Sequence, residues 1–92
     1  MSNTYEEWEK LYLAEVETNY RMFAEQREQI RCKYAGQWIG FAYGHVIVAG
    51  QDVDVVIALM GALVPEAKSA AIFRAEDEPV FELVESVSSE FV

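Results

Sequence analysis

At 92 residues, 52% of them apolar, the chain has room for one domain around one modest core. Sixteen Asp and Glu residues against seven Lys and Arg give a net charge of −9, with nine acids and only two bases after residue 33. A field of that sign disfavours phosphate backbones and anionic lipid surfaces, which argues against nucleic-acid and membrane partners and leaves basic protein surfaces as better ones.

The first element is a long helix. Thr4-Tyr5-Glu6-Glu7 has the form of a capping box, and Trp8, Tyr12, Val16, Tyr20, Phe23, Ile30 and Tyr34 then recur along one helical face. Gly36 supplies the stop, because a helix end is best closed by a residue that tolerates a left-handed backbone. The helix is therefore expected over residues 4–35, roughly 45 Å long.

Next comes YAGQWIGFAYGHVIVAG, Tyr34 to Gly50, where glycines punctuate two short apolar runs. With Tyr43-Gly44 as a two-residue turn, Phe41 falls opposite Val46 and Ile39 opposite Val48, which gathers the large apolar side chains on one face of a hairpin. The turn is imperfect, since Tyr43 takes a place better suited to Asn or Asp, and a four-residue loop is the fallback. Gly40 inside the first strand suggests a bulge or a close backbone approach, most simply by the long helix.

Asp52 can cap a second helix, with Val53, Val56, Ile57, Met60 and Leu63 forming an apolar face broad enough to be buried on most sides, and Pro65 ends it. Ser69 to Arg74 reads as a further strand that the right-handed crossover rule makes parallel to the one before the helix. Glu76-Asp77-Glu78-Pro79 is a solvated turn. Val80 to Val84 reads either as a returning strand or as a short helix opened by Pro79, and residues 86–92 as a loose tail. The expected class is α+β in the order α-β-β-α-β-β, a single small sheet packed on helices within one domain, residues 1–92.

Tyr34, Gly36, Trp38, Gly44, Val46 through Ala49-Gly50 and Asp52, followed at a helix's length by Ala71-Ile72-Phe73-Arg74, form a pattern that resembles the small family catalogued as domain of unknown function 5678. That family shows a tyrosine-x-glycine-lysine-tryptophan-valine start, a tight glycine turn, a valine-alanine-serine-glycine strand end and a capping aspartate. Gln37 stands where lysine is usual and Tyr43 where aspartate is, and the resemblance spans about residues 20–76. It implies a fold and no activity or site residue. Its members occur as small free-standing bacterial and archaeal proteins, some associated with retropepsin-like proteases.

No catalytic, cofactor-binding or metal-binding residue is assigned. His45 beside a hairpin turn reads as a surface residue, Cys32 as a buried or half-buried structural cysteine, and the Glu76-Asp77-Glu78 turn lacks the alternating oxygens of a calcium loop. The lone cysteine fits a reducing compartment, and the longest apolar run, Val55 to Val64, is too short for a bilayer, so the chain reads as cytoplasmic. The aromatic stripe is the suggestive feature. A small sheet about 17–20 Å long cannot cover a helix of 30 residues. The helix therefore either breaks near Thr18-Asn19 and folds back, or packs its projecting half on another chain. The expected function is a non-catalytic interaction or assembly module that self-associates through Trp8, Tyr12, Val16, Tyr20 and Phe23. An antiparallel dimer is favoured, because parallel pairing would stack Glu6, Glu7 and Glu9 against their copies. The alternative is a small acidic antitoxin- or inhibitor-like protein that masks a basic protein surface.

Overall fold

The computed structural model describes residues 4–82. The capping contact read for the Thr4 side chain, the end of the element read at Val80–Val84, and the tail at 86–92 lie outside the described residues. Helix α1 spans Thr4–Lys33 and is followed by strands β1 (Trp38–Ala42) and β2 (His45–Gly50), helix α2 (Val53–Leu63) and strand β3 (Ala70–Arg74). The class is α+β, with one antiparallel sheet of order β2-β1-β3.

The helix α1 is unbroken through Thr18-Asn19, which removes the fold-back reading. It ends as the sequence requires: Tyr34 N–H still donates to the Ile30 carbonyl, and Gly36 then takes φ +79°. In α2, Asp52 sits before the first turn in extended conformation and its Oδ1 accepts the Asp54 N–H at 2.9 Å. The last turn closes on a Val64 N–H to Met60 O bond just ahead of Pro65.

The hairpin turn is the tight two-residue form, with positive φ at both Tyr43 (54°) and Gly44 (84°), so the four-residue fallback is not used. Phe41 pairs with Val46 as expected, but Gly40 pairs with Val48 and Ile39 with Ala49. Ile47 is thus an extra residue, a bulge, and it turns Val48 onto the opposite face of the sheet.

That bulge divides the apolar residues between two layers. On one face Ile39, Phe41, Val46, Ala49, Ala71 and Phe73 meet Phe23 and Ile30 of α1. The ring of Phe23 stands edge-on to those of Phe41 and Phe73 at 6.0 and 5.5 Å. On the other face Ala42, Val48 and Ile72 meet Val56 and Met60 of α2. The close approach at Gly40 therefore comes from α2 and not from α1: a Cβ there would lie 2.5 Å from Met60 Sδ.

Strand β3 points the same way as β2, as the crossover rule requires, but it lies on the far side of β1 and is antiparallel to β1, its one neighbour among the described residues. No fourth strand forms in residues 79–82. Phe81 inserts its ring into the α1-side core instead, and its backbone is held by side chains: its N–H donates to the Tyr20 hydroxyl and its carbonyl accepts from Ser69 Oγ.

Candidate interaction surface

The polar side chains of α1 act as fasteners. Glu15 Oε1 accepts the N–H groups of Lys68 and Ser69 at 2.9 and 3.0 Å. Asn19, fully buried, accepts the Gly44 N–H and donates to the Ser69 carbonyl and Oγ, while Gln26 donates to the Gly44 carbonyl. Burial first, and then the nearby Glu82 carboxylate, hold the Tyr20 phenol above its ordinary pKa, so it stays a neutral acceptor for Phe81.

The acidic turn is exposed, as expected, and is also a second latch. Arg27 grips Glu78 with two hydrogen bonds of 3.0 Å and Arg31 adds a third of 2.9 Å. The Arg27 bonds hold the Glu78 carboxyl below its ordinary pKa. Glu76 is likewise lowered by accepting the Gly36 N–H at 2.7 Å.

These fasteners position α1 from about Glu15 onward and leave its first turns running past the hairpin turn, and the molecule is 48 Å long. The five stripe residues do not share one environment. Phe23, 2% exposed, is the centre of the chain's own core, and Val16 packs partly against that core. Tyr12 is 8% exposed with Trp8 stacked on it at 5.2 Å and 7° between planes. Tyr20 sets its ring edge-on to Phe81 at 5.0 Å. Trp8 and Tyr20 keep substantial exposure, and Tyr5, Leu11 and Leu13 are more exposed still. Beside the overhang lies an open notch of about 270 Å³ between Leu11, Ala14, Glu15, Thr18 and Tyr43.

The largest departure from expectation is α2. Only Val56 and Met60 are buried, while Val55, Ile57 and Leu63 are 50, 51 and 57% exposed and Leu59, Ala58 and Ala62 also face outward. A helix apolar on all sides is expected to be covered all round, yet three strands offer it a single face. The breadth of an apolar face is therefore no measure of its burial. The available signal was that only Asp54 among its eleven residues is charged, although a sheet of so few strands has one face to give it.

His45 is exposed at the start of β2, at the rim of a hollow of about 240 Å³ shared with Gln26, Gln29, Lys33 and Tyr34. Cys32 is exposed near the end of α1, not buried, because its position faces away from Ile30 and Phe23. Among the described residues no cluster of three His, Cys, Asp or Glu is placed to hold a metal ion, and no helix is long and apolar enough to cross a membrane. Compared with known family models, with curated proteins and with solved structures, the chain matches none.

Proposed function

We propose that the chain is a protein-interaction module that acts by presenting surface rather than by chemistry. The observation that supports this is the aliphatic outer side of α2, where Val55, Ile57, Leu59 and Leu63 stand in solvent beside Ala58, Gly61 and Ala62. Patches of this kind mark interfaces, and this one carries one charged residue on a chain whose net charge is −9. Self-association belongs to the same reading. Its expected seat moves away from the aromatic stripe, because Phe23 and Tyr12 already bury their rings within the chain.

The test compares capture of binding partners, the chain itself included, by the wild type and by Leu59→Arg/Leu63→Arg. Both residues are exposed, so the double variant is expected to keep the wild-type unfolding midpoint and to lose its partners. An unchanged set of partners would refute the assignment of the surface.

A further inference from the structure

We propose that the occupant of the α2 surface is a second copy of this chain, seated across the free edge of β2 in a two-fold arrangement that continues the sheet and pairs the two α2 helices. This deepens the interaction-module reading and rests on it.

Among the described residues strand β2 is an edge, with β1 as its one neighbour. Edge strands are usually guarded by lysine, other charges or proline, and HVIVAG contains none of these. Its one irregularity, the Ile47 bulge, is accounted for by the interior, because it delivers Val48 to the α2 layer.

The helix lies on the same side of the molecule as that edge. α2 packs over β2 and β1, with Val56 against Gly50 of β2 and Met60 against Gly40 of β1. Going from β2 through α2 to β3 is a crossover that the chirality rule makes right-handed. At 100° per residue, a helix so placed with Val56 and Met60 downward turns Val55, Leu59, Ala62 and Leu63 toward the β2 edge, and Ile57 and Gly61 toward β3. The longer aliphatic flank thus overlooks the open strand.

Distances then fit a copy and not merely any apolar body. A two-fold axis normal to the sheet sets β2 beside its twin at the strand spacing of about 4.8 Å. A helix centred over the gap between β1 and β2 then lies about 10 Å from its twin, within the roughly 8–10 Å at which helices pack. The approach is electrostatically open as well: apart from Asp54 the helix has no charge, so two chains of −9 bring little of that charge to the contact. Three half-exposed aliphatic side chains and a strand edge per copy bury on the order of 1,000 Å² in total, the lower end of specific interfaces, which points to micromolar association.

Sedimentation velocity of the full chain from about 1 to 500 µM, a span chosen to bracket that affinity, tests the proposal, with amide exchange of β2 measured at both ends. The expected result is a doubling of mass across this range and at least tenfold slower exchange of the outward β2 amides at high concentration. Leu59→Arg/Leu63→Arg should weaken association at least tenfold with an unchanged unfolding midpoint. A dimer that survives this variant but dissociates in Trp8→Ala/Leu11→Ala would overturn the proposal in favour of α1, and a dimer without β2 protection would overturn the sheet arrangement. A monomer throughout would overturn the second copy. If α2 substitution still abolished capture of a different protein, the interaction-module reading would stand without it, and if it did not, both would fall.

Discussion

Asn19 and Gly44, separated by 25 residues, are joined by a buried hydrogen bond in which the Gly44 N–H donates to Asn19 Oδ1 at 2.8 Å. Gln26 Nε2 donates to the Gly44 carbonyl at 2.9 Å, so both backbone groups of Gly44 are satisfied by α1. The other end of the Asn19 amide reaches Ser69 just ahead of β3. A single side chain therefore ties the helix to both ends of the sheet's connections.

Asn19→Ala is expected to leave the Gly44 N–H and the Ser69 carbonyl without these partners. At about 1–3 kcal/mol for each buried group so orphaned, the variant should lose roughly 2–5 kcal/mol in urea unfolding. A loss below about 0.5 kcal/mol, the size of an ordinary surface substitution, would show that the amide is not the fastener described.

Acid should loosen the second latch. Glu76 and Glu78 have folded pKa values below the ordinary value of 4.5, so the unfolded chain binds protons more readily than the folded one as pH falls through that region. Their contribution is fully present above about pH 4.5 and is lost as pH drops through the lowered folded values. The urea midpoint of Glu76→Gln/Glu78→Gln should accordingly lie below the wild type at pH 7 and fall less steeply below pH 4.5. Parallel curves for the two proteins would contradict this.

Much of the fold was legible because local signals agree. Gly36, Tyr43-Gly44, Asp52 and Pro65 mark ends and turns by backbone chemistry that needs no tertiary context. What escaped depends on tertiary context. The bulge that Gly40 suggests does fall at the Gly40–Phe41 step, but nothing in the composition shows that Ile47 of the facing strand is the extra residue, which moves Val48 from one core to the other. Asn19 in a helix reads as a weak point until its partners from residues 44 and 69 are in place. Phe23 and Trp8 share a helical face in sequence, and only the length of sheet beneath decides that one is core and the other surface.

Gly40 offers a test of that two-layer division. Gly40→Ala would press a methyl into Met60, whose Sδ and Cγ would be 2.5 and 2.6 Å away, so overpacking of about 1–3 kcal/mol is expected. Because the closest clash is with Met60, with Val48 Cγ1 next at 3.0 Å, Met60→Ala should relieve part of it, and the double variant should be more stable than the sum of the singles by about 1 kcal/mol. Strict additivity in a double-mutant cycle would place the strain elsewhere.

Tyr43 sets two effects of similar size against each other. At φ 54° it adopts a left-handed conformation that costs a residue with a Cβ about 1–2 kcal/mol, and that Asn tolerates well. Its ring is 44% exposed and walls the notch beside Leu11, Ala14 and Thr18, so removing it forfeits apolar burial on the order of 1.5–2 kcal/mol at 25 cal/mol per Å². Tyr43→Ala loses the ring and keeps the strained backbone, and should destabilise by about that amount. Tyr43→Asn loses the ring but relaxes the turn, and should come out about 1 kcal/mol more stable than the alanine variant, close to the wild type. Equal unfolding midpoints for the two variants would mean that the turn stores no strain at this residue. The predicted difference would mean that a tyrosine is held at a place where Asn fits the backbone better, as expected of a side chain retained for the surface it builds beside the α1 overhang.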